Sequence, residues 1–245
     1  MALDAVAFDM DGLLLDSERL YQTAFREACE AQGLPFDEAS YLEIICTPDA
    51  EARTILRAAY GAAFPLEAVL HAAAERYRSR VEREPVPLKP GVRALLEVLA
   101  ARNIPRAVVT STARDFARHK LRLAGLLEAF AFVVGGDDTA RNKPAPEPYL
   151  LACARFGLPP ERCLALEDSE NGVRSALAAG LRVVQIPDLK APSADVLRLG
   201  HAVLGSLAEV AALLGGRSPD PRAAAVNSDP TISPDIPPER SPDNA

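Results

Sequence analysis

The chain has 245 residues, 49% of them hydrophobic, which is enough for one large or two modest domains around a sizeable core. Its 27 basic and 34 acidic residues leave a formal net charge of -7, so nothing draws nucleic acid or an anionic membrane from a distance, and a small molecule is the expected partner. Met1-Ala2-Leu3-Asp4 carries no basic residue and the apolar run after it breaks at Asp9 and Asp11, so no secretory signal is expected. No apolar stretch approaches the ~20 residues of a membrane span, and a cytoplasmic protein, a monomer or weak dimer, is expected. Cys29, Cys46, Cys153 and Cys163 form no Cys-x-x-Cys pair and read as buried thiols of a reducing compartment, ahead of a zinc site or a disulfide set.

In chain order, Ala5-Val6-Ala7-Phe8 reads as a buried parallel strand running into Asp9, and strand ends of this kind are where open α/β sheets place ligands. Asp9 and Asp11 leave an extended chain on the same side, so two carboxylates share one small space. That costs free energy unless a cation lies between them or one takes up a proton. Gly12 allows the turn that must follow. A lone Asp-x-Asp is more often a pair of helix caps or a solvated loop; the apolar strand before it and the glycine after it favour a site.

Helical periodicity then runs from Ser17 to about Gly33 and recurs over 37–45, 49–60 and 66–84 with no competing strand pattern. This all-helical block, residues 16–85, is expected to be a separate cap inserted after the first strand. Pro85-Val86-Pro87-Leu88-Lys89-Pro90-Gly91 returns the chain as a hinge. From there strands (106–110, 130–134, 163–166, 182–186, 202–204) alternate with helices (92–101, 115–123, 146–156, 169–179, 206–214). The fold class is therefore α/β: a Rossmann-like parallel sheet with helices on both faces, built from residues 1–15 and 86–215. Residues 216–245 hold seven prolines and few large apolar residues, which predicts disorder.

The segment Phe8-Asp9-Met10-Asp11-Gly12-Leu13-Leu14-Leu15-Asp16-Ser17-Glu18 resembles the first motif of the haloacid dehalogenase superfamily, in its phosphatase and sugar-phosphate mutase branch. The resemblance implies that Asp9 is a nucleophile toward phosphorus and Asp11 a general acid and base. Further on, Thr110-Ser111-Thr112 closes the second strand, where a hydroxyl and free amides suit a phosphate oxygen; a plain helix cap is the commoner meaning of such a pair. In the family the position of Thr110 binds the transferring phosphoryl group, with Ser111 contributing its amide.

Lys143, one of only four lysines, stands in Arg141-Asn142-Lys143-Pro144-Ala145-Pro146 where the third motif requires a cation, although most loop lysines are merely exposed. Leu164-Ala165-Leu166-Glu167-Asp168-Ser169-Glu170-Asn171-Gly172 again delivers acids to a strand end, and Ser169 can cap the next helix. The fourth motif of the family assigns Asp168 as a direct metal ligand and Glu167 as a second ligand or one acting through water. With Asp9, Asp11, Glu167 and Asp168 opposed only by Lys143, a phosphate dianion needs a divalent cation to enter. Oxygen ligands without His or Cys select Mg²⁺ over zinc.

The reading is thus an Mg²⁺-dependent phosphatase of a small phosphorylated metabolite, with Asp9, the Asp11 carbonyl and Asp168 on the metal. A β-phosphoglucomutase-like activity is the alternative, disfavoured because Tyr21 stands where that branch has a His. Its insert segment Ile45-Cys46-Thr47-Pro48-Asp49 likewise lacks the usual glycine and arginine. Dehalogenases lack the second Asp, present here as Asp11, and an inert binding protein on the same fold is the alternative of another class. Tyr21, Arg53 and Arg57 are candidates for substrate contact, whereas His71, His119 and His201 fit no motif.

Overall fold

Ala5–Phe8 forms β1, buried throughout, as the central strand of a sheet covered on both faces must be. The computed structural model describes residues 3–45, 49–61 and 64–216. The tail expected to be disordered lies outside these residues beyond Gly216, as does the Cys46-Thr47-Pro48 part of the insert. Five more strands, β2 (Arg106–Val109), β3 (Val133–Val134), β4 (Cys163–Glu167), β5 (Arg182–Gln185) and β6 (Ala202–Val203), join β1 in the order β3-β2-β1-β4-β5-β6, every pair parallel.

The two-residue repeat of a strand divides the apolar residues between the two faces. Val6, Phe8, Val108, Leu164 and Leu166 join one buried cluster, and Ala5, Ala7, Val109, Cys163 and Ala165 join another. Phe8 lies opposite both Val108 and Leu166, so three neighbouring strands end at one level. Asp9, Thr110 and Asp168 leave the sheet together at that level. The strand order reverses on either side of β1, which opens a crevice there.

Between β1 and β2 come α1 (Ser17–Glu30), α2 (Glu38–Ile44), α3 (Asp49–Tyr60), α4 (Leu66–Val81) and α5 (Val92–Ala101). The first four share an apolar cluster of their own, with Phe25, Tyr41, Leu56 and Val69 at its centre. Glu27 of α1 receives both oxygens' worth of bonding from Arg80 of α4, at 2.7 Å each. The chain enters and leaves this insert as a paired double strand. Asp16 N donates to Pro87 O at 2.8 Å and Lys89 N to Leu14 O at 3.0 Å. Helices α6 (Arg114–Leu123), α7 (Glu147–Phe156), α8 (Glu170–Ala178) and α10 (Leu207–Leu214) complete the layers.

Two elements differ from the sequence reading. The strand expected over 130–134 is regular only at Val133–Val134, although Ala131 N already bonds Arg106 O at 2.8 Å; an edge strand has one neighbour to regularise it. Ala194–Leu197 forms a one-turn helix, α9, capped by the Ser193 hydroxyl, too short to leave a periodic signal. No helix among the described residues is long and apolar enough to cross a membrane.

Candidate active site

Asp9 extends the β1 ladder by one residue, since its N–H donates to Leu166 O at 2.9 Å. The turn after it folds tightly, with Leu14 N and Leu15 N both donating to Met10 O at 2.9 and 3.0 Å. Gly12 takes φ +83°, and a Cβ at that position would occupy the Asp168 carboxylate. A glycine is therefore required both for the turn and for the approach of the two acidic segments.

Lys143 reaches this edge from the loop after β3, and its side chain is almost entirely buried. Its Nζ donates to Asp9 Oδ1 and Glu167 Oε1, both at 2.6 Å, and to Val109 O at 2.8 Å. All three donors are used. Tyr149 of α7 donates its hydroxyl to the same Glu167 oxygen and presents its ring 5.2 Å from the ammonium. Burial opposes charge on Lys143, but Asp9 and Glu167 together hold its ionisation above the ordinary lysine range. Asp9 is pushed up from the usual carboxylate range, chiefly by burial, with Lys143 opposing and Glu167 adding to the rise. Asp168 is raised as well, by burial first and then by Asp9 and Glu167.

Asp9, Glu167 and Asp168 each bring an oxygen within 4.8 Å of the others. Three buried carboxylates against one ammonium leave unmatched negative charge, and hard oxygen donors at this spacing fit a divalent cation. In front of them opens a cavity of about 530 Å³. Asp9, Asp11, Thr110, Ser111, Lys143 and Asp168 line its sheet side, so the sequence-predicted residues converge with one difference of depth. Glu167 is fully buried behind the cavity, beneath Lys143 and Tyr149. Thr110 is buried too, its Oγ1 accepting from Thr112 N at 3.1 Å. Ser169 caps α8 as expected, accepting from Gly172 N at 3.1 Å.

Of the insert candidates, Tyr21 lines the cavity, together with Glu18 and Tyr77. Arg53 and Arg57 instead face Glu67, Arg57 at 3.7 Å. The histidines stay outside: His119 contacts Glu82 O at 3.1 Å and His201 contacts Gln185 at 2.8 Å. Sequence reasoning passed over Lys120, which pairs with Asp11 inside the cavity. A signal existed. Lys120 shares the buried side of α6 with Ala117 and Leu121, an unusual place for an ammonium.

Fold and site together define a doubly wound α/β protein with an acidic, cation-competent centre at its topological switch point and a helical insert over it. The chain belongs to the haloacid dehalogenase-like hydrolases, whose family model matches residues 3–180. It is 37% identical over 179 residues to the phosphorylated carbohydrates phosphatase of Thermotoga maritima, covering 73% of this chain and 82% of that one. With protein CbbY of Rhodobacter capsulatus it shares 36% identity over 198 residues, 76% of this chain and 86% of the relative. The crystal structure of CbbY from Rhodobacter sphaeroides in complex with phosphate superposes with a TM-score of 0.64 at 31% identity, covering 85% of this chain and 96% of that one.

Proposed function

We propose that the protein is an Mg²⁺-dependent phosphatase of a small phosphomonoester, a sugar phosphate or similar metabolite, acting through an aspartyl phosphate. The observation that carries this reading is the bond of 2.6 Å between the Lys143 ammonium and Asp9 on the sheet side of a carboxylate-lined cavity. Lys143 opposes the protonation that burial favours on Asp9 and orients it, and one face of it is left to meet phosphorus. Asp9 forms the new O–P bond as the ester O–P bond breaks, and Asp11 gives its proton to the departing alkoxide. In the second half Asp11 takes a proton from water as the water oxygen attacks phosphorus, which releases inorganic phosphate and restores Asp9. Thr110 and Ser111 offer a hydroxyl and amides to the non-bridging oxygens. Asp9, Asp168 and the Asp11 carbonyl would hold the metal, with Glu167 behind them bound to Lys143; when bound, the ion withdraws charge from the phosphate oxygens.

The Thermotoga maritima relative, named as a phosphatase of phosphorylated carbohydrates, supports the substrate class. A mutase is not favoured, because Arg53 and Arg57 turn to Glu67 and the segment 45–49 holds no arginine to grip a second phosphate. The test is phosphate release from a panel of sugar, polyol and nucleoside monophosphates. Wild type with Mg²⁺ should turn over at least one while Asp9→Asn, still folded, turns over none. Glucose 1-phosphate converted to glucose 6-phosphate without phosphate release would establish the mutase instead.

A further inference from the structure

Asp11 does not hang freely in the cavity. Lys120 Nζ pairs with its Oδ1, and Thr112 Oγ1 donates to its Oδ2 at 2.8 Å. Lys120 also donates to the Tyr77 hydroxyl at 3.1 Å, and its ammonium lies 5.7 Å from the ring centres of both Tyr77 and Phe116. Tyr77 belongs to α4 in the insert, and Tyr21 of α1 packs edge-on against it at 5.6 Å. Lys120 is only 2% exposed, which leaves little of the ammonium to a substrate. A lysine so placed acts on Asp11. We propose that Lys120 is a positioning residue that fixes the orientation of the Asp11 carboxylate, and that Tyr77 makes this fixation depend on the insert being seated on the core.

The inference rests on the proton-transfer role given to Asp11 above. A carboxylate anchored at one oxygen by a hydroxyl and at the other by an ammonium keeps a single orientation toward the leaving oxygen. Without Lys120, Thr112 alone would hold it and the group would rotate. Displacement of a reacting group by ~1 Å costs on the order of 10²-fold in rate. Because one of the contacts of Lys120 comes from α4, the anchor is complete only with that helix in place.

The test compares wild type, Lys120→Met and Tyr77→Phe on two kinds of ester. An alkyl phosphate needs a proton on its leaving oxygen, whereas p-nitrophenolate departs without one. With Lys120→Met, kcat on the best alkyl phosphate should fall about 10²-fold while KM stays within about threefold. Single-turnover release of p-nitrophenol should stay within about threefold of wild type. Tyr77→Phe, which keeps the ring, should lower the same kcat by a smaller factor, again without raising KM, and it carries the test if Lys120→Met does not fold. Equal losses on both esters, a rise in KM at unchanged kcat, or no change in either variant would overturn the proposal. A wild type inactive on every phosphomonoester overturns the proposed function and this inference with it; an active wild type with indifferent variants overturns this inference alone.

Discussion

At the scale of single residues, Glu18 and Gly172 show what the crowding of acids imposes. Glu18 lines the cavity and its carboxyl is pushed up to about 7, by burial first and then by Asp11 and Asp188, with Lys120 opposing and Asp16 adding. Its folded value lies above its unfolded one, so the native state holds a proton that the unfolded chain has released. Stability therefore falls as pH rises from about 4.5 to about 7, and the deficit is complete above that. Glu18→Gln should raise Tm at pH 8 by roughly 3–6 °C, with the gain shrinking toward pH 5, as thermal melts in chelator would show. Gly172 tells the opposite story about size. A Cβ there would enter the Glu167 carboxylate, which is fully buried and held by Lys143 and Tyr149, so the carboxylate has nowhere to go. Ala favours a helix over Gly by about 1 kcal/mol, but forcing a methyl into a filled space costs roughly 1–3 kcal/mol and exposes the Lys143 contact as well. Gly172→Ala should accordingly lose about 2 kcal/mol in urea unfolding.

Among elements, the paired connection between core and insert is the part on which closure depends. Asp188 follows β5, and its side chain is buried. It accepts from Lys89 on the returning strand and, at 2.8 Å, from Arg19 at the start of α1. One carboxylate thus ties both ends of the insert to the sheet. Removing one partner of a buried ion pair costs about 3–5 kcal/mol; Asp16 remains 3.7 Å from Lys89, which softens the loss here. Asp188→Ala should lower stability by about 2 kcal/mol, and limited proteolysis should cut the connection over 82–91 sooner than in wild type. The repeating β-α pattern that made the sheet legible did not reveal this tie. Asp188, Lys89 and Arg19 are each unremarkable in sequence, and only the fold brings them within reach.

For the whole molecule, gathered charge is the governing quantity. Asp9 is raised by burial and by Glu167, and Asp168 by burial and by Asp9, so a divalent cation bound between them should stabilise the native state by mass action. Mg²⁺ at 100 times its Kd would add about 2.7 kcal/mol, read as a rise in Tm that chelator reverses and that Asp168→Asn loses. An unchanged Tm across that range would count against a cation at this place.

The sequence by itself determined the sheet, the helical insert and the four segments at its edge. Apolar runs of strand length, helical periodicity and turn residues are local properties: Asp9, Thr110 and Asp168 each sit just past the end of a strand, and Lys143 in the loop ahead of a helix. What only the tertiary structure decided are contacts between elements far apart in the chain. These are Glu167 placed beneath the cavity under Lys143 and Tyr149, Lys120 turned inward onto Asp11, and the tie through Asp188. A residue's type records what it can bond to. Which partner it meets depends on how the parallel strands align and where the insert comes to rest, and no short stretch of sequence carries that information.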